Sequence, residues 1–221
     1  FFEKIIIQIN IFDKADNVRK LHKNNVALFG GVILFYNLFI FILLDFYFKI
    51  ELLNIYFDTR ELFSLILGIN LFFLIGLFDD KFNLSPNKKL FFNFFVILFL
   101  ILLDENLVVR ELNFSFFNVP IELRNFSYMF TILCILLLIN ALNMFDGINL
   151  QVGSYCIIIF GIFIFKNLFT SLSIILILSI LLYLYFNFKN KSFLGDSGTQ
   201  ILAFLISYIL IKSYNYENAF R

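Results

Sequence analysis

Glu61-Leu-Phe-Ser-Leu-Ile-Leu-Gly-Ile-Asn-Leu-Phe-Phe-Leu-Ile-Gly-Leu-Phe-Asp79-Asp80 carries no charge between its terminal acids. A membrane-spanning helix needs about 20 mostly apolar residues. This stretch supplies one across 61–78 and delivers two aspartates to its exit. Working outward, similar runs occur near 26–44, 89–103, 127–144, 152–166, 169–187 and 199–212. Those at 89–103 and 152–166 are short and are expected to tilt or to extend into their flanks. The fold class expected is all-α, a polytopic transmembrane helix bundle of about seven spans. Residues 1–12 read as the tail of an earlier helix or as an interfacial segment. No repeat, linker or second domain interrupts the pattern, so 1–221 reads as a single integral-membrane domain truncated at both ends.

Composition agrees. The chain is 61% hydrophobic and 15% charged, against about 25% charged in soluble domains. That makes the bilayer the expected solvent and membrane lipids the expected partners, while a net charge of +1 and the lack of a basic-aromatic stripe give no case for nucleic acid. Cys134 and Cys156 both fall inside apolar runs and read as small buried hydrophobes, with no disulfide framework.

Counting crossings places three polar islands on one side of the membrane: Asp79-Asp80, Asn143-Met-Phe-Asp146-Gly147 and Gly195-Asp196-Ser197-Gly198. Loops on that side hold nine Lys or Arg, among them Lys14, Arg19, Lys20 and Lys23, and the opposite side holds seven mixed with nine acids. Basic residues concentrate on the cytoplasmic side, so the islands are expected to face the cytoplasm. The opposite loop, 104–126, alternates in character around Asn113–Asn118 and Val119-Pro120-Ile121, which predicts a short surface hairpin.

Each island has a plain structural reading. Asp79-Asp80 could be a solvated pair ahead of the helix that starts near Pro86. Asn140, Asn143 and Asp146 could bond between helices, and Asp196 or Ser197 could cap the next helix. Their convergence favours chemistry, because unrelated caps have no reason to gather on one face. The six acids on this side are Asp13, Asp16, Asp79, Asp80, Asp146 and Asp196, and four of these belong to the islands. Adjacent carboxylates repel unless a cation neutralises them, and magnesium prefers oxygen ligands shared with substrate phosphates. Asn140, Asn143 and Asp146 recur every three residues and form one polar stripe at a helix exit. Upstream, Arg19-Lys20-Leu-His22-Lys23 before Gly30-Gly31 reads either as a topogenic cluster binding anionic headgroups or as a phosphate clamp.

Four ordered stretches resemble the integral-membrane polyprenyl-phosphate N-acetylhexosamine-1-phosphate transferases. They are Asp16-Asn-Val-Arg-Lys20-Leu-His22 with Gly30-Gly31, Gly76-Leu-Phe-Asp79-Asp80-Lys81 through Lys88-Lys89, Asn140-Ala-Leu-Asn143-Met-Phe-Asp146-Gly-Ile-Asn149, and Asn187 through Gly195-Asp196-Ser197-Gly198. The resemblance implies transfer of a sugar 1-phosphate from a UDP-sugar to a polyprenyl phosphate with release of UMP, an early step of envelope glycan synthesis such as O-antigen or capsule. It implies Asp79 and Asp80 as catalytic residues, with Asp196 and Asp80 holding Mg2+ (or Mn2+). Lys20, His22, Lys88, Asn143, Asp146, Asn149 and Asn187 would bind substrate. The implied setting is the bacterial plasma membrane with the site toward the cytoplasm, and a homodimer is compatible with it.

The chain departs from the pattern in places. Asn149-Leu150 stands where many relatives carry Asp-Gly, which leaves the sugar nucleotide open and favours an O-antigen or capsule type over the peptidoglycan type. Relatives also continue into a histidine-rich loop, so these 221 residues alone are expected to be inactive. Two rival classes are a cation-coupled transporter, which would bury its carboxylates near the membrane midplane, and a non-catalytic membrane scaffold, which would have no reason to cluster them.

Overall fold

A computed structural model of the protein describes residues 12–13, 26–50, 52–53, 57–114, 116 and 119–217. Among these, the chain forms β1 (Phe12–Asp13), β2 (Val26–Leu28), α1 (Gly30–Phe48), α2 (Thr59–Phe82) and α3 (Pro86–Leu103). It continues through β3 (Glu111–Leu112), β4 (Ile121–Glu122), α4 (Ser127–Phe145), α5 (Gln151–Phe165) and α6 (Thr170–Phe188), and ends with β5 (Ser192–Phe193) and α7 (Gly195–Glu217). This is the expected all-α bundle. Five segments, coinciding with α1–α4 and α6, are long and apolar enough to cross a membrane, whereas α5 is shorter. Their outer faces carry exposed Phe39, Phe95, Phe99, Leu137 and Leu178, the surface a lipid solvent accepts. The architecture is that of a multi-pass membrane protein. Cys134 lies exposed on that surface, contrary to expectation, and only Cys156 is buried.

The seventh helix differs from the plain apolar span expected at 199–212. It is longer, and every residue from Ile201 to Ile209 is buried. It packs against α1, α2, α4 and α5, so it meets protein on all sides. Polar side chains inside a membrane usually face such an interior, and α7 accordingly buries Ser197, Thr199, Gln200, Ser207, Lys212 and Ser213. Lys212 is one of the seven basic residues expected in the loops of the opposite side. It lies instead within the helix and is fully buried.

Two small sheets close the ends. β3 pairs antiparallel with β4, the hairpin expected in loop 104–126. At the other end β2 lies between β1, antiparallel, and β5, parallel, with Ala27 opposite Ser192 and Leu28 opposite Phe193. Phe12 and Asp13 are therefore strand, and the remainder of the expected segment 1–12 lies outside the described residues. Since β2 leads directly into α1 and β5 into α7, the parallel pair aligns the starts of those two helices. Gly31 N donates to Leu194 O at 3.0 Å and fixes that alignment.

Candidate active site

α2 reaches the acidic end of the bundle with Asp79 one turn before its close. The chain then reverses through Asn83–Ser85. Asn83 adopts φ 50°, a left-handed conformation that asparagine tolerates better than most residues, and its amide donates to Asp79 O. Pro86 follows at the first position of α3, where its missing N–H costs nothing. So short a reversal brings the first turn of α3 back beside the last turn of α2.

Lys89 enters the site this way. Its ammonium lies 2.6 Å from Asp79 Oδ2 and also contacts Asp196 Oδ1. The other oxygen of Asp79 accepts from Leu84 N at 2.8 Å. Asn143, near the end of α4, donates its amide to the same Asp196 oxygen. One lysine from α3 therefore joins carboxylates from α2 and α7, and a fourth helix, α4, contributes an amide.

Asp80 faces elsewhere. Its Oδ1 accepts from Asp196 N at 2.7 Å and its Oδ2 from Ser197 N at 3.1 Å. These are free amides of the first turn of α7, where a negative charge is favoured. Gly195 makes the approach feasible: it has φ +73°, and a Cβ there would sit 2.8 Å from the Asp80 carboxylate. Gly76 does the same from the α2 side, where a Cβ would fall 2.3 Å from Ser197 Cα. Backbone cannot yield as a flexible side chain can, so Gly76→Ala is expected to push the first turn of α7 away. The cost expected for such overpacking is about 1–3 kcal/mol, read as a lowered melting temperature in detergent.

Asp146 caps the end of α4 at the edge of this group. Burial pushes its carboxyl up to about 7, and the charges of Asp196 and Asp80 push the same way. Asp79, Asp80, Asp146, Asp196 and Asn143 thus form an all-oxygen donor set with one lysine among four acids. Among the described residues no three acidic, His or Cys side chains converge enough to enclose an ion unaided. The donor chemistry still fits magnesium, which takes one or two carboxylates and completes its shell with water and substrate phosphates.

The other residues expected at the site are placed as follows. Lys88 is exposed and turned away from the cluster, whereas its neighbour Lys89 is buried. Asn187 is buried, with its amide accepting from Leu150 N at 2.7 Å and donating to Ser192 O at 2.9 Å. It stitches the α4–α5 loop to β5 and leaves neither amide atom facing outward. Asn149 is exposed and bonds to Asn190 across the same two loops. Lys20 and His22 lie outside the described residues. Sequence reasoning missed Lys89, although a signal was present: Asn93, polar within an apolar run, marks the inward face of α3. Lys89 is one turn earlier on that face, and Lys88 is rotated about 100° from it.

These features define a class: a polytopic helical membrane protein with a lysine-bridged carboxylate site at one rim. The sequence profile of glycosyl transferase family 4 matches residues 62–214, and the chain belongs to that family. It is 30% identical over 219 residues to a probable undecaprenyl-phosphate N-acetylglucosaminyl 1-phosphate transferase of Bacillus subtilis, covering 93% of this chain and 56% of that one. It is 27% identical over 224 residues to the undecaprenyl-phosphate alpha-N-acetylglucosaminyl 1-phosphate transferase of Escherichia coli O157:H7, covering 96% and 58%. The Salmonella typhi protein of the same name is 28% identical over 222 residues, covering 95% and 57%. The chain therefore spans a little over half the length of the curated relatives it matches.

Proposed function

We propose that the protein transfers N-acetylhexosamine 1-phosphate from a UDP-sugar to a polyprenyl phosphate, in a bacterial plasma membrane with the site facing the cytoplasm. An oxygen of the lipid phosphate bonds to the sugar-linked phosphorus, the bond from that phosphorus to the bridging oxygen breaks, and UMP leaves with that oxygen. The observation that carries this reading is Lys89 bridging Asp79 and Asp196 at the rim of a lipid-facing bundle. There a phosphate headgroup meets water while its isoprenoid tail stays in hydrocarbon.

Transfer between phosphates relies on positioning and charge compensation more than on covalent chemistry by the protein. Asp79 would orient the incoming lipid phosphate and take its proton. Lys89 offsets negative charge on whichever anion it faces. Asp196 and Asp146 would hold magnesium, which when bound supplies charge neutralisation to the diphosphate. Asp80 was expected at the chemistry or on the metal. Its bonds to the α7 amides suit it better to holding Asp196 in place. Asn143 orients Asp196 by its hydrogen bond, and Asn187 holds the loop that follows Asp146. The names of the relatives support undecaprenyl phosphate and an N-acetylglucosamine donor as the substrates.

A transporter would need carboxylates at mid-depth between broken helices. Among the described residues the acids lie near helix ends or in loops, which disfavours it. The test is UMP release by the full-length protein in detergent with UDP-GlcNAc, undecaprenyl phosphate and magnesium. Asp196→Asn keeps the shape and removes the charge, and is expected to lower kcat by roughly 100-fold or more, the scale of losing one preorganised electrostatic contact. Undiminished release by Asp79→Asn and Asp196→Asn would remove both assigned roles.

A further inference from the structure

The three helices that meet at the acidic end meet again at the other end. Glu61 lies in the first turn of α2, whose last turns carry Asp79. Asp104 directly follows α3, whose first turn carries Lys89. Lys212 lies toward the far end of α7, which begins with Gly195-Asp196. Lys212 is fully buried, with Nζ 2.7 Å from Glu61 Oε1 and 2.8 Å from Asp104 Oδ2. The Tyr208 hydroxyl is 2.9 Å from Glu61 O and 3.1 Å from Asp104 Oδ2, and Asn106 donates its amide to Glu61 Oε1 at 3.0 Å. At 1.5 Å per residue, the two clusters are separated by roughly 22–27 Å along the helices. Each cluster takes one charged side chain from each of the same three helices, and in each a lysine bridges two carboxylates. The lysine comes from α3 at the acidic end and from α7 at the far end.

Between the clusters the packing is mostly apolar, with Phe72 stacked on Phe204, and the polar side chains buried there, Ser64, Asn93 and Gln200, have no hydrogen-bond partner among the described residues. α3 has its close backbone neighbours in α2 and α4, and among the described residues the hydrogen bonds between α3 or its cap and α7 lie at one end or the other. Apolar contact is non-directional and tolerates axial slip, whereas a buried ion triad closes in one register. Fixing register is the best-attested use of buried polar groups. We infer that Glu61, Asp104 and Lys212 are positioning residues that set the axial register of α2, α3 and α7, so that Asp79, Lys89 and Asp196 meet at the opposite end. The link to turnover rests on the function proposed above, but the register itself can be measured without it.

Removing Lys212 alone strands two buried acids and can unfold the chain, so the test uses Glu61→Leu/Asp104→Leu/Lys212→Met, which replaces the whole triad with apolar groups. The full-length protein, with Cys134 and Cys156 changed to Ala, is spin-labelled at Asn87→Cys and Lys191→Cys. Both are exposed positions at the acidic end, on α3 and just before β5. Electron–electron double resonance on the parent is expected to give one narrow distance distribution. The triple variant, still melting cooperatively, is expected to broaden or shift it by about 1.5 Å for each residue of slip. Its kcat should fall about 100-fold, the scale of a misplacement of about 1 Å. Lys212→Arg, which keeps the charge, should restore the narrow distribution. A native distribution in the folded triple variant overturns the inference. A broadened one, with no UMP release even from the parent, would fault the proposed function and leave the register assignment standing.

Discussion

Lys89→Met in the full-length protein is expected to lower kcat for UMP release by roughly 100- to 1,000-fold, the range measured when one preorganised charge-stabilising donor is removed from an active site. The ammonium is the cation between Asp79 and Asp196, which come from different helices and are held together by it. Methionine keeps most of the side chain's apolar length and packing but leaves the two acids facing each other as like charges. Both proposed substrates are phosphate anions, so the loss is expected on the ground state and more heavily on the transition state, where charge spreads over the transferring group. Lys89→Arg should recover only part of the rate, because a planar guanidinium does not reproduce a compact ammonium between two oxygens. The neighbouring lysine makes the comparison informative. Lys88 is exposed, and Lys88→Met is expected to change kcat by no more than a few-fold, in keeping with the small worth of exposed charges. Equal losses from the two substitutions would show that the basic dipeptide acts as a diffuse surface charge and not through one placed ammonium.

Lys212→Met should be the most destabilising single change at the far end, at about 3–5 kcal/mol, the cost of removing one partner from a buried ion pair. Glu61 and Asp104 would remain buried, keeping Asn106 and the tyrosines as hydrogen-bond partners but no cation. Urea or thermal melting in detergent reads the effect. Replacing all three members by apolar side chains should restore most of the lost stability, since no charge is then left buried. A Lys212→Met protein as stable as the parent would show that the ammonium contributes no net stability to the triad.

The bundle and its polarity were legible because membrane burial writes a strong signal. Glu61–Phe78 and its counterparts are long uncharged runs, and the islands that close them fall on one side by counting alone. The hairpin of residues 104–126 was legible from alternation and turn residues. The site was legible in part: Asp79, Asp196 and Asn143 do converge. Lys89 was overlooked in favour of Lys88, because adjacent residues look alike in a sequence and differ by about 100° on a helix. Asn187 looked available for a ligand, and only its two backbone partners reveal that it holds loops together. The far-end cluster was invisible for a similar reason. Glu61, Asp104 and Lys212 each look like an ordinary charge at a span boundary, and nothing in a linear chain indicates that they share one buried point.

What the sequence determined by itself is the solvent. Hydrophobicity, run length and the side on which charge gathers are properties of single segments, so they survive without knowledge of neighbours. Which helix is enclosed by the others, which of two lysines enters the site, and which acid is spent on backbone amides depend on distances between segments far apart in the chain. Only the packing of α7 among α1, α2, α4 and α5 decides those distances. The approach of its first turn to Gly31 and Gly76 brings Asp196 within reach of Lys89.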